Sequence, residues 1–124
     1  MAEQLIDMAQ LDEIRAVLGE ERTAGLVALY LAELASDRAD LRAALGRCDL
    51  AGAAAAAHSI AGASLNIGGR AVASAARMLQ MVLDPRAHQG ATALHHALRQ
   101  LDAAAAETAS ALAPACQCEP LAAA

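Results

Sequence analysis

The sequence predicts an all-α domain: an antiparallel four-helix bundle with a short N-terminal capping helix. Composition is the first observation behind that expectation. Of 124 residues 57% are hydrophobic, yet the chain holds one Tyr and neither Phe nor Trp. Strands favour β-branched and aromatic side chains, whereas the Ala, Leu, Arg and Glu abundant here lose little freedom in a helix. Periodicity is the second, because apolar residues recur at three- and four-residue spacing through long segments. The third is punctuation: glycines and an Asp-Pro pair leave four long segments joined by short connections. A chain of this length builds one core. The expected boundaries are a single domain over 1–113 and a disordered tail over 114–124.

Asp7 is placed to cap a first, short helix in which Leu11, Ile14 and Leu18 share one face, and Gly19 ends it. A second helix is expected over 20–47, with Val27, Tyr30, Leu31, Leu34, Leu41 and Leu45 on one stripe. Glu33, Ser36, Asp40 and Arg47 lie opposite, as a solvated face requires. Asp49 caps a third helix over 50–66, and Asn66-Ile67-Gly68-Gly69 breaks it, since Asn and Gly tolerate the left-handed backbone. The fourth, over 70–83, should bury Val72, Ala76, Leu79 and Leu83 and turn Arg70, Ser74 and Arg77 outward. Asp84-Pro85 forms the next turn. The fifth, over 87–112, stacks Ala91, Leu94, Leu98, Leu101, Ala105, Thr108 and Leu112 before Pro114 stops it.

The net charge is −5, and all nine basic residues are arginine. No basic patch marks a nucleic-acid or anionic-membrane surface. The N-terminus lacks the basic and apolar regions of a signal peptide, and no charge-free apolar run of about 20 residues predicts a membrane span. A cytoplasmic monomer with polar outer faces is the expectation. Cys48 stands alone, and Cys116 and Cys118 sit in the expected tail without a second ligand pair, so no metal site is expected.

One residue breaks the blandness of the third helix. His58 follows five alanines in AAAAAHSIAGASLNIGG. At 100° per residue Ile60 lies about 200° away, on the side it shares with Leu50, Ala53, Ala57, Ser64 and Ile67. That side carries the branched hydrophobes and should pack inward, so His58 points out. Its neighbours one turn away are Ala54, Ala55, Ala61 and Gly62, none large enough to cover a ring. Glycine in mid-helix costs about 1 kcal/mol against alanine, so Gly62 reads as space deliberately left beside the imidazole. His95 and His96 are adjacent and diverge by about 100°, and His88 lies at a helix start. No phosphate-cradling loop follows a strand, so a nucleotide site, and with it kinase activity, is not expected.

These residues resemble the histidine phosphotransfer (HPt) domain of bacterial phosphorelays. Its core, approximately Ala-His-x-Leu-Lys-Gly-Ser-Ser-x-Asn-hydrophobic-Gly, stands here as Ala57-His58-Ser59-Ile60-Ala61-Gly62-Ala63-Ser64-Leu65-Asn66-Ile67-Gly68. The preceding long helix, the turn Gly46-Arg47-Cys48-Asp49 and the downstream Leu79-Gln80 fall in register with it. The resemblance implies a phosphoryl carrier, not an enzyme. His58 would accept a phosphoryl group from an aspartyl phosphate of a receiver domain and pass it to another response regulator. Receivers and a hybrid sensor histidine kinase are the implied partners. The domain would need no cofactor of its own, Mg²⁺ being expected on the receiver. Ala54, Ala55, Ala61, Gly62 and Leu65 form the expected docking face, with Asn66, Gly68 and Gly69 as the helix-end turn. Ala61 stands where the family usually has lysine, and Arg70 is the nearest candidate substitute. The alternative is a non-phosphorylated HPt-like module that docks receivers or kinases.

Overall fold

The computed structural model describes residues 4–87 and 90–116. Its elements are α1 (Met8–Leu18), α2 (Glu20–Gly46), α3 (Leu50–Ile67), α4 (Arg70–Leu83) and α5 (Gly90–Leu112), followed by a 3₁₀ turn at Ala113–Cys116. No strand occurs among the described residues.

Each boundary has a local cause. The Asp7 carboxylate accepts from the Gln10 N–H at 3.2 Å and starts α1. Gly19, at φ +87°, ends α1 and lets α2 begin at the next residue. Asp49 caps α3 by accepting from the Gly52 N–H at 2.9 Å. At the other end of α3, Gly68 takes the left-handed conformation (φ +85°), and the Gly69 N–H reaches back to the Ser64 carbonyl at 2.8 Å. That pattern satisfies carbonyls the helix end would otherwise orphan. A Cβ on Gly68 would also lie 3.1 Å from the Asp7 carbonyl oxygen, so both conformation and space favour glycine.

Helices α2 to α5 pack in sequence order, α2 on α3, α3 on α4, α4 on α5, and α2 on α5 closes the ring. Short connections between neighbours make them antiparallel. Alanine does much of the packing. α3 buries Ala53, Ala56, Ala57 and Ala61 around Ile60 and Ile67, and α4 answers with Val72, Ala73, Ala76 and Leu79. Small side chains let these axes approach closely, and α3 lies between α2 and α4. α3 is long and apolar enough to cross a membrane on length and composition alone, and its mean hydropathy follows from this alanine packing.

Polar contacts tie the layers together. The Tyr30 and Ser64 hydroxyls meet at 2.7 Å in the buried α2–α3 interface. Burial pushes the Tyr30 phenol above its ordinary value, and the Ser64 contact opposes this in part. Arg38 and Arg42 on α2 both bond the Asp102 carboxylate on α5. Partial burial pushes that carboxyl up, but the two guanidinium bonds and their charges outweigh it and hold it below the usual range. α1 staples the α3–α4 turn: the Asp7 N–H donates to the Gly68 carbonyl at 2.7 Å and Gln10 Nε2 to the Leu65 carbonyl at 2.7 Å.

Several sequence expectations need correction. Leu50 is 47% exposed, because it borders an open groove with Leu83, Pro85 and Leu94 at the end of the bundle instead of entering the core. Ala91 is exposed rather than stacked, and α5 begins at Gly90, not near 87. His88 lies outside the described residues. Of the expected tail, 114–116 belong to a 3₁₀ turn in which Ala115 packs against the core. Residues 117–124, with Cys118, lie outside the described set.

Candidate functional site

His58 occurs midway along α3 and is exposed. Its orientation follows from the inward pull of Ile60, 1% exposed, about 200° around the helix. The ring does not stand free. Its Nδ1 lies 3.4 Å from the amide nitrogen Nε2 of Gln80 on α4. A carboxamide both donates and accepts, so Gln80 can meet either neutral tautomer of the ring. With Nδ1 turned to Gln80, Nε2 is the nitrogen directed away from that contact. With the amide rotated so that its oxygen faces the ring, a protonated Nδ1 donates to that oxygen, and the Nε2 lone pair of the ring is available as a nucleophile.

The surround has two different flanks. On the side toward α2, Ala55 and Gly62 are exposed, and a Cβ built on Gly62 meets nothing within 4 Å. Ser59, beside His58, donates to Asp37 on α2 at 2.9 Å, which fixes that edge. On the side toward α4, Ala54 is half-buried and Ala61 is 4% exposed. Ala61 therefore is not part of an outward docking face. It lies about 60° from His58 in the direction of α4, whose helix covers its methyl group.

Leu65, two turns beyond His58, is 42% exposed and lines a cleft with Arg70, Arg77 and Met78. Asn66 is exposed, whereas Gly68 and Gly69 are buried in the turn beneath α1. Arg70 stands apart from the imidazole. Its guanidinium pairs with the Asp7 carboxylate at 3.2 Å, and the level of the turn lies about 15 Å along α3 from His58. The expectation that Arg70 serves the imidazole is corrected accordingly, because α1 captures it. His95 and His96 are exposed on α5, away from the α3–α4 seam.

An exposed imidazole, oriented by an amide and bordered by open space on one flank, can accept and release a small electrophilic group. The sequence matches the Hpt domain family over residues 25–112. The chain belongs to the HPt family. An HPt domain serves histidine phosphotransfer in two-component phosphorelays, and the helical bundle is that of the family. The match runs from α2 to the end of α5 and leaves α1 outside it. No curated protein and no solved structure matches the chain.

Gln80, Ser59, Asp37 and Arg77 are the site residues that reading α3 alone did not mark. Gln80 was visible only as half of a Leu-Gln pair in register with the family. Its contact with His58 depends on how α4 folds back after Gly69.

Proposed function

We propose that His58 is the phosphoacceptor of this HPt domain, taking a phosphoryl group from the aspartyl phosphate of one receiver and giving it to the aspartate of another. The observation that carries this reading is an exposed ring held at Nδ1 by Gln80, with Nε2 turned away from that contact, beside the open space at Gly62. In the forward step the Nε2 lone pair attacks phosphorus in line. The N–P bond forms as the P–O bond to the receiver carboxylate breaks, and that electron pair leaves on the carboxylate. The Nδ1 proton stays on the ring and, with the Gln80 amide rotated to present its oxygen in place of its Nε2, is donated to that oxygen, which keeps the imidazole cationic and a good leaving group for the return step. Positioning and charge neutralisation dominate such a transfer. Mg²⁺ and a lysine of the receiver would supply part of the neutralisation, so this domain acts as a carrier with no nucleotide site.

The partners on this reading are receiver domains and a hybrid sensor kinase, met in the cytoplasm by a monomer. Incubation with a phosphorylated receiver should place acid-labile, alkali-stable label on the wild type and on His95→Gln and His96→Gln. His58→Gln should take none while keeping its helicity and melting temperature. Label persisting in His58→Gln would refute the assignment. A wild type that binds receivers yet never takes label would establish the docking-module reading, which the uncharged Ala61 favours.

A further inference from the structure

We infer that Arg77 is the cation of this chain that neutralises the phosphoryl group on His58, an inference that rests on the phosphoacceptor reading above. A phosphoryl group on the ring brings roughly two negative charges into a surround of alanine and glycine. No charged side chain of α3 lies near His58 to meet them: the helix from Leu50 to Ile67 contains no Lys, Arg, Asp or Glu. The neutralising group must come from a neighbouring helix.

The register of the α3–α4 seam identifies it. Gln80 meets His58, and the helices are antiparallel. Three residues back along α4 from Gln80 is Arg77, and three residues on along α3 from His58 is Ala61. Arg77 thus stands across the seam at the level of Ala61, about 4.5 Å of helix rise from the Gln80 contact. Positions three apart share a helix face, so Arg77 and Gln80 look toward the same side. Ala61 is buried at 4% exposure beneath α4, so no side chain of α3 fills the rim of the seam at this level, and the exposed Arg77 stands on that rim.

Arg77 also differs from Arg70, Arg38 and Arg42 in having no ion pair among the described residues. Arg70, on the same face of α4, is held by Asp7, and Arg38 and Arg42 are held by Asp102. Among the described residues no carboxylate lies within ion-pair distance of Arg77, which is exposed and borders the cleft beside Leu65. A guanidinium offers five donors in a planar fork that fits phosphate oxygens. On phosphorylation the side chain would extend along the exposed rim of the α3–α4 seam toward His58 and donate to them.

The test uses the full chain and phosphoramidate, a small phosphodonor that needs no receiver. Wild type, Arg77→Ala, Arg77→Gln, Arg77→Lys and Arg70→Ala are each labelled, and the lifetime of phosphohistidine is followed at low and at high salt. An exposed charge pair is screened by salt and worth at most about 1 kcal/mol, so Arg77→Ala and Arg77→Gln should shorten the lifetime about twofold to fivefold. Arg77→Lys should regain most of it, Arg70→Ala should match wild type, and the differences should shrink at high salt. Wild-type lifetimes in both neutral variants, or a loss that lysine does not rescue or salt does not reduce, would overturn the role of Arg77 while leaving His58 in place. A wild type that takes no label at His58 would overturn the phosphoacceptor reading itself, and this inference with it.

Discussion

Gly62 offers a perturbation whose two effects have opposite signs. Position 62 lies one turn beyond His58, about 6 Å along the axis, on the exposed flank. A Cβ there meets no atom within 4 Å, so a side chain enters solvent and not the core. Glutamine is a good helix former and glycine the poorest short of proline, so Gly62→Gln should stabilise the fold by about 0.7–1 kcal/mol. For a domain of this size that raises Tm by about 3–5 °C. Helical side chains tilt toward the N-terminus of their helix, and a glutamine at 62 would therefore lean back over the imidazole. There it obstructs an approaching receiver, and a 1 Å displacement can cost about a hundredfold in rate. Gly62→Ala, adding only the Cβ, should gain the same stability and keep most of the transfer. Stopped-flow transfer from a phosphorylated receiver, with thermal melts of all three proteins, provides the assay. Labelling by phosphoramidate separates an obstructed partner from a damaged nucleophile, since the small donor should still label Gly62→Gln. Transfer at the wild-type rate in Gly62→Gln would show that the space is not used by a partner. A lower Tm would place position 62 in a packed interface and refute the orientation of α3.

One buried and one partly exposed polar tie predict opposite limbs of the pH–stability curve. The Tyr30 phenol is raised in the fold, so its contribution is present below its unfolded value of 10.0 and is lost as pH rises through the folded one. With one tyrosine and no lysine in the chain, urea titrations above pH 10 should read this group, and Tyr30→Phe should lose that alkaline dependence along with about 1 kcal/mol at neutral pH. An alkaline limb unchanged in Tyr30→Phe would assign it elsewhere. Asp102 is lowered in the fold, so its contribution is present above 3.8 and is lost as pH falls through the folded value. Asp102→Asn should cost about 1 kcal/mol at pH 7, discounted for its partly exposed arginine partners, and should lose less further stability on acidification than wild type. An acid limb as steep as wild type would show that Arg38 and Arg42 do not hold this carboxylate.

What could be read from the sequence divides according to whether a feature depends on one helix or on two. The caps at Asp7 and Asp49, the stops at Gly19 and Gly68 and the turn at Asp84-Pro85 are local, and α4 spans the expected 70–83. The outward orientation of His58 is also local, fixed by Ile60 on the opposite side. Ala61 and Gly62 were both expected outside because both lie one turn from His58. They fall on opposite flanks of it, about 60° one way and 40° the other, and only the position of α4 decides that the first is covered and the second is not. Arg70 was lost for a similar reason, since nothing in the sequence near it reveals that the chain before α1 brings Asp7 to the same turn. Gln80 and Arg77 become legible once the Gly68-Gly69 turn is treated as a mirror. Two antiparallel helices joined by so short a turn must pair positions equally far from it, which sets residue 58 opposite residues close to 79. On the proposed reading, the nucleophile His58 and the groups that would orient and neutralise it therefore sit some ten residues either side of the turn. That turn makes one site of α3 and α4, so a residue inserted there should uncouple His58 from Gln80 and Arg77 without altering a single side chain of the three.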